Sequence, residues 1–208
     1  MSRNDFRKTI LGVFFFLLLS DIAFAQKFRA GLITGFTTSQ VSGDQLGGFD
    51  KSGFEFGGLV AIPVSQKFDF SFQIVFIQKG SKKPFNAEQG DYSYYLLRLN
   101  YIEVPFLLQY NFSKNIQFEA GPTFGKLISS KEEDEHGQIP APKEFRSFDL
   151  GAMFGMNYML FTNFYICLEG SNSLFPIRDA DIEGGRDQYN SVLMFSLKYV
   201  FNKKTGVQ

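Results

Sequence analysis

Residues 68–79 read Phe-Asp-Phe-Ser-Phe-Gln-Ile-Val-Phe-Ile-Gln-Lys, and the character of their side chains alternates along the chain. One face carries Phe68, Phe70, Phe72, Ile74 and Phe76, and the other carries Asp69, Ser71 and Gln73. An alternation with a period of two is the pattern of a β-strand whose two faces meet different surroundings. The segment therefore predicts a strand with one apolar and one polar face.

The same alternation recurs along the rest of the chain. It is regular in 116–125 and 147–158, and looser in 27–37, 53–63, 97–110, 164–171 and 189–201. With 68–79, these segments predict eight strands. Tight polar turns are expected near Ser65-Gln66, Ser113-Lys114-Asn115 and Thr162-Asn163, and long hydrophilic loops at 38–52, 80–96, 128–146 and 172–188.

An even number of strands, with short turns at one end and long loops at the other, is typical of a bacterial outer-membrane barrel. The sequence thus predicts an all-β fold, an eight-stranded antiparallel transmembrane β-barrel with short periplasmic turns and long extracellular loops. Aromatic residues near the strand ends on the short-turn side fit an interfacial girdle: Tyr110, Phe112, Tyr158, Phe161, Tyr199 and Phe201.

The composition of the two faces predicts which one points outward. A soluble barrel of the lipocalin kind would turn its apolar face inward, where five bulky side chains on one strand would overfill a narrow bore. The polar face is rich in glycine, which suits a crowded interior: Gly31, Gly35, Gly57, Gly121, Gly125, Gly151 and Gly155. We therefore expect the apolar face to contact lipid, with a soluble periplasmic ligand-binding barrel as the structural alternative.

Six carboxylates and two basic residues share the inward parity. They are Glu55, Asp69, Glu103, Glu119, Asp149 and Glu169, with Arg29 and Lys198. They predict either a paired polar network or a path for ions or protons. Since an eight-stranded bore is filled by its own side chains, the paired structural network is favoured.

The N-terminus has the three parts of a secretory signal peptide. Basic residues precede the apolar run Ile10–Leu19, and Ala23-Phe24-Ala25 provides a small-x-small cleavage site. We expect residues 1–25 to be removed and residues 26–208 to form the barrel domain. Export to the outer membrane of the cell follows from this interpretation.

Composition removes several classes of function. Lys+Arg and Asp+Glu number 21 each, so the chain lacks the basic excess of a general nucleic-acid binder. The single cysteine, Cys167, and the single histidine, His136, exclude a disulfide framework, a Cys-rich zinc site and a multi-His metal site. His136 lies in the charged run 131–137, which predicts a solvated loop tip without a positioned nucleophile. We expect no catalytic residue, no metal and no cofactor.

Several segments together resemble the PorT-like family of outer-membrane β-barrels, typical of Bacteroidetes-type bacteria. Residues 101–110, Tyr-Ile-Glu-Val-Pro-Phe-Leu-Leu-Gln-Tyr, are the most specific part. Residues 31–35, 52–58, 77–80 and 148–151 resemble the family in the same order along the chain. The resemblance implies an eight-stranded barrel in the outer membrane but no common activity, although the member that gives the family its name is linked to protein secretion.

These features predict a non-enzymatic barrel with a structural or interaction role in the envelope. Its expected partners are outer-membrane lipid and an envelope protein or surface polysaccharide, bound through the four long loops. The loop around 81–95 mixes basic and aromatic residues, which suit anionic lipid headgroups or a protein partner. The alternative function is a narrow passive channel or a component associated with transport or secretion.

Overall fold

The computed structural model describes residues 28–44, 46–84, 93–139, 144–180 and 186–201. The predicted signal peptide lies outside the described residues. The strands are β1 (Arg29–Ser42), β2 (Lys51–Pro63), β3 (Phe68–Lys83), β4 (Tyr95–Asn111), β5 (Ile116–Asp134), β6 (Gly137–Ile139), β7 (Phe148–Phe161), β8 (Phe164–Ser173) and β9 (Tyr189–Val200). In these described ranges, no helix has the length and apolar character needed to cross a membrane.

Eight of the nine strands close into an antiparallel barrel. Each of the eight pairs with the next one along the chain, including β4 with β5; because β6 is not part of the ring, β5 pairs with β7. The first and last strands, β1 and β9, pair with each other and close the ring. The three-residue strand β6 is not part of the ring and forms a hairpin with the last residues of β5. The predicted eight-stranded barrel is confirmed, and because the sheet closes on itself, its main ladder has no exposed edge.

Two of the three short turns use the same device at one end of the barrel. The Ser65 hydroxyl accepts hydrogen bonds from the backbone N–H groups two and three residues later, and Ser113 does the same in the next turn. In the third turn Asn163 adopts a left-handed φ of 74°, a conformation that asparagine tolerates well. The predicted tight turns are therefore confirmed, and we call this side the turn end and the opposite side the loop end.

Several strands extend further toward the loop end than the sequence predicted. β5 continues to Asp134, so the first residues of the predicted loop 128–146 are strand, and β3 continues to Lys83. In these extensions both faces carry polar side chains. The hydrophobic period that marks a strand is therefore missing there, and the sequence pattern ends too early.

The apolar face lies outside, as predicted. Phe36 is 76% exposed and Phe148 is 72% exposed, which rules out the soluble barrel with an apolar bore. The outward apolar residues run from Phe68 to Phe76 on β3 and from Tyr110 to Ile102 on β4, with equivalents on the other strands; we call this surface the apolar belt. Phe68 to Phe76 spans about 26 Å along the strand, or about 20 Å along the barrel axis at a tilt of ~40°. With side chains included, this approaches the band of about 25 Å that lipid-embedded barrels present.

The interior is packed with both polar and apolar side chains. Small residues make room for the polar groups, since a Cβ at Gly35 would lie 2.6 Å from the Ser196 hydroxyl oxygen and one at Gly155 would lie 2.7 Å from Cγ of Glu169. The sequence did not predict that apolar side chains would also be buried in the interior. One buried cluster contains Val41, Ile77, Leu97, Leu99, Tyr101, Leu107, Phe145, Met153, Ile177, Val192 and Met194, and another contains Ile33, Leu59, Ala61, Val75, Tyr165, Cys167 and Val200.

Candidate functional site

At mid-height of the barrel, Lys198 holds two carboxylates. Its Nζ lies 2.6 Å from Oε1 of Glu119 and 2.7 Å from Oε1 of Glu169, and all three side chains are at most 3% exposed. Gln109 donates a hydrogen bond of 2.8 Å to the other oxygen of Glu119. Strand register explains the meeting, because Glu119 and Glu169 both face Gly155 across the ladder, where no side chain separates them.

Glu55 lies beside this group and accepts a short hydrogen bond from the Ser196 hydroxyl. Ser196 is two residues from Lys198 on β9 and therefore shares its inward face. Gly35 stands between Glu55 and Ser196 in the register. The absence of a side chain there lets the carboxylate reach across β1.

Nearer the loop end, a lysine that the sequence analysis did not select holds the next two acids. Lys79 Nζ lies 2.5 Å from Oε2 of Glu103 and 3.3 Å from Oδ2 of Asp149, and its side chain is 2% exposed. Asn190 donates a hydrogen bond of 2.9 Å to the same oxygen of Asp149. The signal was present in the sequence, because Lys79 has the same parity as Asp69 on β3.

At the turn end, Arg29 and Asp69 form a pair with a distance of 2.6 Å between Nη2 and Oδ1. Asn111 and Gln117 both donate hydrogen bonds to Oδ2 of Asp69, at 3.2 and 3.5 Å. A cavity of about 20 Å³ lies among these side chains and Lys198, enough for about one water molecule. All eight residues selected from the sequence therefore line the interior, in three groups stacked along the barrel.

The charges of the interior do not balance. In the part of the chain that the structure describes, seven carboxylates, the six above and Glu132, share it with five basic groups, an excess of two formal negative charges; the basic groups are Arg29, Lys51, Lys79, Arg178 and Lys198. Among the described residues, Oε1 of Glu103 and Oδ1 of Asp149 have no hydrogen-bond partner. Chemically, this arrangement can hold the barrel walls together through ion pairs, and the unpartnered oxygens could accept protons or water.

The mouth at the loop end is covered by Arg178, in the segment between β8 and β9. Its guanidinium lies 3.0 and 3.1 Å from the two carboxylate oxygens of Glu132, and 4.3 Å above the ring of Phe145. Its Nε donates to Gln188 at 3.0 Å, and Arg178 is 4% exposed. Burial alone would lower the pKa of Arg178, but the hydrogen bonds and charge of Glu132 outweigh it and raise that pKa.

This cover corrects the prediction that the whole charged run 131–137 is solvated. Glu132 is 5% exposed because β5 continues past the rim and turns this side chain inward. A local pattern of charges cannot show that an arginine more than forty residues away in sequence will fold over it. Ile177, the neighbour of Arg178, is fully buried beneath the cover.

Beyond Glu132, the charged run is half-buried at Glu133 and Asp134 and is exposed, as predicted, from Glu135 to Gly137. Asp134, Glu135 and His136 form the tip of the β5–β6 hairpin, and their ligand atoms lie within 4.8 Å of one another. His136 is 83% exposed, with Nδ1 3.7 Å from Glu135 and 3.9 Å from Asp134. Three such groups offer oxygen and nitrogen ligands to a cation, but all belong to a solvated turn.

Comparison with known proteins agrees with this geometry. The solved structures that share the fold include Ail, the attachment invasion locus protein of Yersinia pestis, solved with the heparin analogue sucrose octasulfate, and Neisserial surface protein A. Ail is 15% identical, with a TM-score of 0.50 over 84% of this chain and 99% of its own. Neisserial surface protein A is 10% identical, with a TM-score of 0.51 over 83% and 96%. No curated protein sequence matches the chain. The model of the outer membrane protein beta-barrel domain matches residues 24–179, and the chain therefore belongs to that family.

Proposed function

We propose that the protein is an integral barrel of the outer membrane that acts, without catalysing a reaction, through contacts of its long loops with another envelope component. The turns would face the periplasm and the loop end the exterior. Within the family, the sequence segments around 101–110 support a PorT-like, Bacteroidetes-type branch. The partner class is an envelope protein or a surface polysaccharide, besides the lipid around the belt.

The observation that carries this proposal is the filled interior. Ion pairs, two apolar clusters and the Arg178–Glu132 cover occupy the bore along its length, and the cavity near Arg29 has room for about one water molecule. A barrel of this kind offers its surroundings mainly the loop end. A catalytic role is disfavoured because the only histidine lies on an exposed hairpin tip.

Replacement of the loops tests the proposal. A variant in which the segments 43–50, 84–94, 135–143 and 179–187 are shortened to turns should keep the barrel but lose any partner that the full chain captures from an envelope extract. The shortening leaves Phe145, Ile177 and Arg178, which fill the mouth, in place. Partner capture that persists in this variant would refute the role of the loops. Membrane fractionation with a heat-modifiability gel tests the location, since a folded barrel extracted by detergent migrates differently before and after boiling.

A narrow channel is the second candidate, and the excess of interior carboxylates favours it. Such a channel would pass cations, and its conductance in planar bilayers would fall in Glu119→Gln and Glu169→Gln variants. The packed interior predicts instead that the wild-type protein gives no single-channel steps. Steps that respond to these two substitutions would replace the first proposal by the second.

A further inference from the structure

A group of basic side chains lies on the outer wall of the barrel at the loop end. Arg98 on β4 is paired directly with Lys131 on β5, and both are exposed. On the other side, Arg98 is paired with Gly80, which has no side chain to cover it. Lys82 follows two positions further along β3, on the same face as Gly80. Three neighbouring strands thus place positive charge on one patch of the wall, and we call these residues the basic patch.

The basic patch keeps most of its charge. Within the described ranges, Glu133 is the acid that pairs with the basic patch, at 3.4 Å from Arg98. Both side chains of that pair are substantially exposed, so the contact is weak. Lys51, at the loop end of β2, is 7% exposed and shares the inward parity of Glu55, so it does not belong to the basic patch. Positive charges gathered on an exposed surface stabilise a bound anion.

The height of the basic patch fits a lipid headgroup. The apolar belt ends at the pair Phe76–Ile102, a polar row at Asn100 follows, and Arg98 comes next. Ile102 to Arg98 is about 13 Å along the strand, or about 10 Å along the axis at a tilt of ~40°. The headgroup region of one leaflet is roughly 5–8 Å thick, and long basic side chains bend toward it from above.

We propose that Lys82, Arg98 and Lys131 bind the phosphate of an anionic lipid in the leaflet that surrounds the loop end. The patch faces sideways and continues the surface of the apolar belt, so a lipid seated on the belt brings its headgroup to these residues. A lipid is favoured over a soluble partner for that reason. The inference rests on the proposed membrane location but not on any partner of the loops.

The test uses the purified full-length barrel in micelles of a zwitterionic detergent. Diphosphorylated lipid A is titrated in, and retained lipid is counted by native mass spectrometry, with dephosphorylated lipid A and inorganic phosphate as comparison probes. The double variant Arg98→Gln/Lys131→Gln removes two charges from the basic patch. The matched control, Lys67→Gln/Lys114→Gln, removes two charges from the short turns at the opposite end.

We expect the patch variant to bind diphosphorylated lipid A roughly 30-fold more weakly, the effect of two basic side chains next to an anionic surface, while the control stays within about twofold of wild type. Equal affinity in patch variant and wild type, equal loss in the control, or equal binding of the dephosphorylated lipid would each overturn the proposal. Displacement by inorganic phosphate at the same concentration would also overturn it, in favour of a site for free anions. If the double variant fails to fold, Lys82→Gln, which lies on β3, provides the measurement with an expected loss of about fivefold.

These outcomes can be separated from failure of the proposed function. If the barrel fractionates with membranes but shows no phosphate-dependent lipid binding, only the proposal that the basic patch binds lipid is refuted. A wild-type chain that fractionates as a soluble protein would remove the membrane proposal as well.

Discussion

The mid-height ion cluster makes the sharpest prediction for stability. Replacing Lys198 by methionine keeps the length of the side chain but removes the cation that Glu119 and Glu169 share at 2.6 and 2.7 Å. Both carboxylates are at most 3% exposed, so water cannot take the place of the lysine. Removing one partner of a buried pair typically costs about 3–5 kcal/mol. The folded-to-unfolded ratio should therefore fall by between two and four orders of magnitude.

The measurement is urea unfolding of the purified barrel in detergent micelles. The chain contains no tryptophan, so unfolding is best followed by circular dichroism and by the fraction of heat-modifiable protein on a gel. The matched control is Lys67→Met, which removes a lysine from an exposed short turn and should change stability by less than about 0.5 kcal/mol.

A triple variant tests the electrostatic cause. Lys198→Met combined with Glu119→Gln and Glu169→Gln leaves no charge in the cluster, so most of the lost stability should return, as it does when whole buried ion pairs are replaced. A loss below about 1 kcal/mol in the single variant, or a triple variant no more stable than the single one, would contradict the reasoning.

Three further predictions follow from the packing. Gly155→Ala should destabilise the barrel by about 1–3 kcal/mol, because the new Cβ would lie 2.7 Å from the buried side chain of Glu169. At the outward-facing Gly170 the nearest atom to a new Cβ is 3.6 Å away, so Gly170→Ala should be nearly neutral, and urea unfolding compares the two variants. In lipid vesicles, Phe106→Arg, near the middle of the apolar belt, should lower the free energy of unfolding by about 2–4 kcal/mol, and Phe68→Arg, at the edge of the belt, by about 0–1 kcal/mol. Equal losses in the two variants would argue against insertion of the belt into the bilayer. Arg178→Met should release the cover at the mouth, so that a protease cleaves between β8 and β9 at least tenfold faster while the strands stay protected. An unchanged cleavage rate would show that Arg178 does not hold that segment in place.

The strand pattern predicts the barrel fold, and the family resemblance implies the same fold. Alternation along 68–79 and 147–158 placed the phenylalanines on one face and the acids on the other, and the structure confirms that parity in both strands. The prediction was weaker at the loop end, where β5 runs to Asp134 through residues that are polar on both faces. No hydrophobic period exists there to be recognised.

The interior shows a different limit. Parity selects Glu103 and Asp149 as inward residues but not their cation, because Lys79 stands at the very end of the alternating segment 68–79, beyond the polar positions Asp69, Ser71 and Gln73 that mark the inward face. The Arg178–Glu132 cover could not be found by parity at all, since Arg178 lies outside the barrel strands and reaches Glu132 from a loop.

The sequence by itself determined the number of barrel strands, their order of long and short connections, and which face of each strand points outward. These follow from a period of two, which is a local property of the backbone that each segment carries alone. Only the tertiary structure decided which charges meet, because Lys79 on β3 reaches Asp149 on β7 only once the stagger of all eight strands has closed the ring. That stagger is set by the pairing of whole strands and the filling of the bore, and no single segment encodes it.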